Sequence, residues 1–302
     1  MKPQALQEWF GGHARTVVEA WLPTWAANVS ENARRGYIRE DRALHRLAGM
    51  FPATASCVLA GPGPSLDLAM PWMKAEPQNV IACHSSLNPL FGNGLGPIMT
   101  VACDPKAEIG EKIAEVAHLI HPTDILVCPV TIHPSVIEHW PGQVALYVTH
   151  DPSPPYAGVD IIVNNVLATI GLDKKLLGFI TAGGCVGCAA LEAAFVAGFR
   201  NVKIVGYELG GMPVGRYYGE RFGFSRIPPA RVCIEEPLRG SAETMYLKNQ
   251  SDRYRLAFEQ RLEWLRGEDR AFKWSNLSPY SFIQGNREEI PAIEFVEDLV
   301  EA

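Results

Sequence analysis

The sequence has no apolar run of the roughly 18 residues that a helix needs to cross a bilayer. Its first residues, Met1-Lys2-Pro3-Gln4, also lack the apolar core of a secretion signal. Internal repeats and low-complexity tracts are absent as well. These absences predict a cytoplasmic protein without a membrane span.

Long basic runs are also missing. The 27 Lys and Arg residues are outnumbered by 33 Asp and Glu residues, so the formal net charge is −6. This balance argues against a large nucleic-acid-binding surface, since such surfaces depend on clustered positive charge. The sequence leaves open a local basic patch at Arg216, Arg221, Arg226 and Arg231, and also a homo-oligomer.

Cysteine is not used as a secreted disulfide framework would use it. The chain has seven cysteines, an odd number, and four of them lie in apolar, strand-like runs (Cys57, Cys83, Cys103 and Cys128). We therefore expect reduced thiols that pack as small hydrophobic groups. The segment Cys185-Val186-Gly187-Cys188 has redox spacing, but its surroundings are not thioredoxin-like, so the sequence favours neither a redox centre nor zinc.

Several familiar catalytic signatures are absent too. The chain has no G-x-S-x-G, no kinase signature, and no H-x-x-x-H or Cys/His cluster. A metal site built by the protein alone is therefore not predicted.

What the sequence does contain is an alternation of short apolar runs and helical stretches. This pattern predicts an α/β fold, a Rossmann-like, mostly parallel sheet with helices on both faces. Residues 1–50 are interpreted as a helical N-terminal extension, 51–212 as a nucleotide-binding domain, and 213–302 as a lid segment and helical cap. The predicted strands are Ser56–Ala60, Asn79–Cys83, Pro97–Cys103, Asp124–Val130, Val144–Val148, Phe179–Thr181 and Val202–Val205.

The turn after the first predicted strand, Gly61-Pro62-Gly63-Pro64-Ser65, leads into a helix-like segment. Glycines let a backbone approach an anion, and the first N–H groups of a helix can bind it, so the turn is a candidate phosphate site. Leu66 replaces the third glycine of a dinucleotide-binding fingerprint, and no Gly-Lys-Ser/Thr follows. The alternative is a tight turn without ligand contact.

Further candidates follow other strands, where open parallel sheets bind their ligands. Asp104 is placed to bind a ribose, a sugar or a cation, or to cap a helix. A second small-residue loop, with Thr181, Gly183 and Gly184, is interpreted as a ribose or phosphate site, or as close helix packing. The candidate general bases are His84, His150 and Glu208, although each histidine could be structural. Tyr217 and Tyr218 lie in a Gly-rich segment and are candidates for stabilising a leaving phosphate. The alternative is that this segment is only a solvated loop.

Three motifs in this order resemble the MptE-like (DUF115) family. They are the Gly61–Asp67 loop, Val101-Ala102-Cys103-Asp104-Pro105, and the stretch from Thr181 to Glu208. That family includes flagellin-modifying motility-accessory-factor glycosyltransferases and an archaeal 6-hydroxymethylpterin diphosphokinase. The pattern is also similar to that of bacterial CMP-sialic acid sialyltransferases.

The resemblance implies roles for residues at matching positions. The Gly61–Ser65 loop would face nucleotide phosphates, while His84 and Asn88 would approach the sugar or base. Asp104 would lie near the ribose or donor sugar, and the Thr181–Gly184 loop would line the pocket. All eight histidines precede Asp151, so the downstream catalytic histidine of the sialyltransferases has no counterpart here.

These features predict a transferase that binds a small-molecule nucleotide donor, most plausibly a glycosyltransferase using a CMP- or UDP-type nucleotide sugar. The acceptor is left open. A diphosphokinase that moves pyrophosphate from ATP with Mg²⁺ is the alternative, and it would need Asp104 or Glu208 as a metal ligand. A non-catalytic nucleotide-binding module is a third reading.

Overall fold

Eight parallel strands form one sheet at the centre of the protein. The computed structural model describes residues 3–63, 65–76, 78–150, 156–181, 185–208, 230–231, 246–247, 249–278, 281, 283 and 285–291. The sheet strands are β1 (Ser56–Ala60), β2 (Asn79–Cys83), β3 (Met99–Val101), β4 (Ile125–Pro129), β5 (Gln143–His150), β6 (Phe179–Thr181), β7 (Asn201–Val205) and β10 (Lys273–Asn276). Two short strands, β8 (Ala230–Arg231) and β9 (Tyr246–Leu247), form a separate antiparallel pair.

The strand order is β10-β7-β1-β2-β3-β4-β5-β6. The chain runs outward from β1 to β6, then returns across the sheet to place β7 on the other side of β1. The direction of winding therefore reverses between β1 and β7. In open parallel sheets such a reversal opens a crevice at the carboxyl ends of the strands, where ligands bind.

Helices cover both faces of the sheet, as the alternating pattern predicted. The helices are α1 (Pro3–Arg34), α2 (Ser65–Ala75), α3 (Leu87–Gly92), α4 (Ala107–Val116), α5 (Pro134–Glu138), α6 (Ala157–Thr169), α7 (Val186–Ala197) and α8 (Asn249–Glu268). Val58 and Ala60 of β1 pack with the apolar side chains of α1, α2, α4 and α6. Their neighbours Cys57 and Leu59 pack instead with α7 and α8, because successive strand residues point to opposite faces.

The two helices of the second face, α7 and α8, bury apolar side chains against the sheet. Most residues of α7 are buried, and many of them are alanines. Gly198 ends this helix in the left-handed conformation, with φ of 114°. The apolar stripe of α8, with Phe258, Leu262 and Leu265, is buried in the same cluster. No described helix is long and apolar enough to cross a membrane.

The eighth sheet strand, β10, was not predicted. Its sequence, Lys273-Trp274-Ser275-Asn276, is too polar for an apolar-run criterion. It forms because β7 offers an open edge. Lys273 N–H donates a hydrogen bond to Arg200 O (2.7 Å), and Leu277 N–H donates one to Ile204 O (2.8 Å). Most of the Gly- and Pro-rich stretch predicted as a lid lies outside the described residues.

Two buried asparagines join α1 to the loops that follow β3 and β4. Asn28 Nδ2 donates to the carbonyl oxygens of Pro105 and Thr131, both at 3.0 Å. Asn32 Nδ2 donates to those of Val130 and Ile132, at 3.0 and 2.8 Å. The N-terminal helix therefore helps to fix two of the loops at the carboxyl edge of the sheet.

We predict that Asn32→Ala lowers the free energy of unfolding by about 2 kcal/mol, because it leaves two buried carbonyl oxygens without their donor. Urea denaturation measures the change. The control is Ser30→Ala on the same helix. The exposed Ser30 hydroxyl donates to Ala26 O within α1, so this substitution should change the free energy of unfolding by less than about 0.5 kcal/mol. Equal effects of the two substitutions would contradict the prediction that the Asn32 hydrogen bonds to the loop after β4 stabilise the fold.

Candidate active site at the carboxyl edge of the sheet

The loops after β1 and β7 are joined by a set of short hydrogen bonds. Gly61 N–H donates to Val205 O and Gly63 N–H donates to Gly206 O, both at 2.8 Å. Gly206 N–H in turn donates to Ser65 Oγ at 2.9 Å. The two loops on either side of the topological reversal therefore form one unit.

A buried carboxylate completes this unit. Glu208, only 1% exposed, accepts a hydrogen bond from Ser65 N–H at the start of α2, with Oε1 at 2.8 Å from the nitrogen. A negative group is favourable there, because the first N–H groups of a helix have no partner within the helix. The protein therefore places its own carboxyl group at the position where the sequence predicted a phosphate.

The glycines of this loop are explained by the same contact. A side chain at Gly61 would overlap Gly206 O, and one at Gly63 would overlap the Glu208 carboxylate. Phosphate contact by Gly61, Gly63 and Ser65 stays a prediction, since their N–H groups are donated within the protein in this structure. Pro64 lies outside the described residues.

The environment of Glu208 shifts its titration. Burial raises the pKa of the carboxyl, and the hydrogen bonds from Ser65 oppose that rise only in part. Its second oxygen, Oε2, is buried and has no hydrogen-bond partner among the described residues. The carboxyl is thus a stronger base than an exposed glutamate, and its role as a general base stays a prediction.

Tyr207 lies between Gly206 and Glu208 in the loop after β7. It contacts the end of β2 and the segment after β10. Its hydroxyl lies 2.9 Å from Cys83 Sγ, at the end of β2. Its carbonyl oxygen accepts a hydrogen bond from Ser281 Oγ at 2.7 Å. The segment after β10 therefore contacts this edge through the backbone of the loop that follows β7.

His84 and Asp104 follow the neighbouring strands β2 and β3, and each has a buried polar atom without a partner among the described residues, Nδ1 and Oδ1 respectively. Burial lowers the pKa of His84 to about 4, and the charge of Lys112 acts in the same direction. Burial raises the pKa of Asp104, against the charges of Lys106 and Lys112. Unmet hydrogen-bonding capacity of this kind is typical of a ligand site.

The other candidates lie at different places on this edge. His150 and Thr181 are paired in register at the ends of β5 and β6. His150 is exposed, and Thr181 N–H donates to Glu192 Oε2 at 3.2 Å. Asn88 is on α3 and donates to Glu115 of α4 at 3.3 Å. The remaining predicted residues, Gly183, Gly184, Tyr217 and Tyr218, lie outside the described part of the chain.

Sequence reasoning missed one feature here, the Glu192–Arg261 pair, and noted the Cys185–Cys188 spacing without favouring a redox centre. Glu192 of α7 forms an ion pair with Arg261 of α8 (2.9 Å), and burial raises the pKa of Glu192 to about 7 although Arg261 lowers it. The sulfur atoms of Cys185 and Cys188 lie 3.5 Å apart at the start of α7. Nothing local in the sequence signals the ion pair, and only the Cys-x-x-Cys spacing signals the closeness of the two thiols.

A metal would depend on the nucleotide for most of its ligands. No group of three His, Cys, Asp or Glu side chains that could hold an ion occurs among the described residues. Mg²⁺ is commonly held by one or two carboxylates together with substrate phosphates, and Asp104 offers one such buried oxygen. Among the described residues, Asp104 could thus contribute one ligand to a Mg²⁺ ion that a nucleotide also holds.

Comparison with known proteins shows the family to which this chain belongs. Residues 28–211 match the family model described as "6-hydroxymethylpterin diphosphokinase MptE-like", which is more than half of the 302 residues. This chain belongs to the MptE-like family. The matched segment contains the α1 asparagines, the edge loops of β1 to β7 and Glu208.

The structure of this MptE-like chain is similar to the solved structure of the MAf glycosyltransferase from Magnetospirillum magneticum AMB-1. The TM-score is 0.54 at 18% sequence identity, with 83% of this chain and 37% of that chain covered. At this identity the likeness supports the α/β fold alone, and this chain spans little more than a third of that protein. No curated protein matches the sequence.

We predict that Gly63→Ala destabilises this MptE-like protein by about 3 kcal/mol, because the added methyl group overlaps Glu208 and lies 2.7 Å from Gly206 O. Gly267→Ala on α8 is the matched control. No atom lies within 4 Å of its added methyl group, and alanine favours helices, so it should stabilise by about 0.5 kcal/mol. Thermal or urea denaturation compares them, and a harmless Gly63→Ala would refute the close contact.

We predict that Glu208→Gln removes a pH-dependent loss of stability. Since burial raises the pKa of Glu208 above its ordinary 4.5, its stabilising effect is complete below that pH and is lost as pH rises through the folded-state pKa. The free energy of unfolding of Glu208→Gln minus that of the wild type should therefore increase as the pH is raised above 4.5.

The control for this pH series is Glu111→Gln, at an exposed position of α4. It should show no such trend, because its side chain is in water in both states. A flat difference for Glu208→Gln over the same range would show that its carboxyl is not perturbed by folding.

Proposed function

We propose that this protein is a transferase that binds a nucleotide-activated donor, a CMP- or UDP-type nucleotide sugar, at the carboxyl edge of β1 to β3. The observation that carries the proposal is that His84 Nδ1 and Asp104 Oδ1, in the loops after the adjacent strands β2 and β3, are both buried without a hydrogen-bond partner among the described residues. Sugar and ribose hydroxyl groups both donate and accept hydrogen bonds, so they suit such a pair. Membership of the MptE-like family supports a nucleotide-dependent transfer reaction.

In this proposal the two side chains have different roles. Asp104 accepts a hydrogen bond from a hydroxyl group of the donor and orients it. His84, neutral at pH 7 because burial lowers its pKa to about 4, takes the proton from the acceptor hydroxyl. The acceptor oxygen then forms its bond to the donor sugar while the bond from the sugar to the nucleotide phosphate breaks.

Glu208 has a supporting role in this proposal. Its carboxylate is buried against Ser65 and Gly63, so it holds the β1 and β7 loops in place instead of touching the donor. The phosphates then lie nearer the Thr181 loop and the start of α7. Tyr217 and Tyr218 remain candidates for stabilising the leaving phosphate.

A diphosphokinase acting on ATP and Mg²⁺ is the second candidate. It is favoured by the description of the family model, which names a 6-hydroxymethylpterin diphosphokinase. In that reaction Asp104 would hold Mg²⁺ together with the phosphates of ATP. The two candidates differ in which nucleotide binds and in whether binding needs the metal.

The decisive experiment is calorimetric titration of the full chain with CMP, UDP, GDP and ATP, each with and without Mg²⁺. We expect CMP or UDP to bind without the metal. Asp104→Ala should weaken that binding about tenfold or more, since a hydrogen bond to a charged group contributes about 1.5–3 kcal/mol. ATP binding that requires Mg²⁺, with no CMP or UDP binding, would overturn the glycosyltransferase proposal in favour of the diphosphokinase.

Two further variants sharpen the result. Asp124→Asn, at the opposite end of the sheet directly before β4, is the control and should bind nucleotide like the wild type. His84→Gln should keep nucleotide affinity but slow hydrolysis of the donor sugar at least tenfold, as expected for loss of a general base. Binding without any turnover, in the wild type as well, would identify a non-catalytic nucleotide-binding module.

A further inference from the structure

The first turn of α7 brings two thiols into near contact. Cys185 is the N-cap residue of α7, with extended backbone angles (φ −141°, ψ 153°), and Cys188 lies in the first helical turn. Their sulfur atoms are 3.5 Å apart. A disulfide requires about 2.05 Å, so small side-chain rotations that close about 1.5 Å would form the bond.

The two thiols are unequal, as a reactive pair requires. Cys185 is half-buried and within reach of solvent, whereas Cys188 is fully buried. Hydrogen bonds from the Cys188 thiol and from the backbone N–H groups of Cys188 and Gly187 lower the pKa of Cys185. The pKa of Cys188 is raised, by the Cys185 thiol and by burial. Cys185 is therefore the attacking thiolate and Cys188 the resolving thiol.

The other described cysteines lack these properties. Burial raises the pKa of all four of the remaining ones (Cys57, Cys83, Cys103 and Cys128). Two of them contact tyrosine hydroxyl groups instead of another thiol: Cys83 contacts Tyr207 at 2.9 Å and Cys103 contacts Tyr147 at 3.1 Å. Thiol chemistry is thus concentrated at one place in the described part of the chain.

We propose that Cys185 and Cys188 form a reversible dithiol/disulfide site, oxidised by a peroxide and reduced by a small dithiol. The Cys185 thiolate attacks one peroxide oxygen, the O–O bond breaks, and Cys185 becomes a sulfenic acid as the other oxygen leaves as water after protonation. The Cys188 sulfur then attacks the Cys185 sulfur, the S–O bond breaks, and a second water carries away the Cys188 proton. Two electrons pass from the thiols to the peroxide, and a dithiol returns them by exchange.

The test uses the full chain, reduced with dithiothreitol and then treated with hydrogen peroxide. After denaturation and blocking with N-ethylmaleimide, trypsin releases residues 176–200, which contain Cys185 and Cys188 and no other cysteine. We expect this peptide to carry two adducts from the reduced protein and none after oxidation, when its mass should be about 2 Da below that of the unlabelled dithiol peptide. Dithiothreitol should restore both adducts, and the other cysteine peptides should lose theirs at least tenfold more slowly.

Single substitutions separate the two roles. In Cys188→Ser, oxidation should stop at the Cys185 sulfenic acid, which dimedone traps as a covalent adduct. In Cys185→Ser, Cys188 should keep its maleimide adduct under the same treatment. The proposal is overturned if peptide 176–200 keeps both adducts, or if it loses them no faster than the peptides of Cys57 and Cys128. Neither outcome depends on nucleotide binding.

Discussion

The carboxylate of Glu208 at the start of α2 is the contact on which the rest of this edge depends. It joins the end of β7 to the beginning of the helix that follows β1, across the reversal in sheet topology. Gly61 and Gly63 are needed because the two loops approach so closely that a side chain at either position would overlap the partner loop. Ser65 completes this joint, because its Oγ accepts a hydrogen bond from Gly206 N–H. The crevice beside β1 thus has a rigid wall built from residues far apart in sequence.

The opposite side of the same edge is held from outside the sheet. Asn28 and Asn32 reach from α1 to carbonyl groups of the loops after β3 and β4. Asp104 lies directly before one of the clamped carbonyl groups, that of Pro105. Both the joint at β1–β7 and this clamp keep buried polar groups hydrogen-bonded, whereas His84 Nδ1 and Asp104 Oδ1 have no hydrogen-bond partner among the described residues.

The fold could be predicted from the sequence because its signals are local. All seven apolar runs are strands, Gly198 ends α7, and the stripe of Phe258, Leu262 and Leu265 is buried. The strand β10 could not be predicted, because polar residues became a strand only by pairing with the edge of β7.

For the site, sequence could identify the loops but not their partners. A glycine-rich turn before a helix indicates a close approach to the backbone, but the same pattern serves a bound phosphate and a carboxylate from 143 residues further along the chain. The closeness of Cys185 and Cys188 depends on the extended backbone of the N-cap, which spacing alone does not determine. The Glu208 carboxyl at α2 also limits what that helix could contribute to the proposed function. Because Glu208 already accepts from Ser65 N–H and the formal net charge is −6, electrostatic attraction of the proposed anionic donor would depend on basic side chains near the edge, such as Lys106 and Lys112.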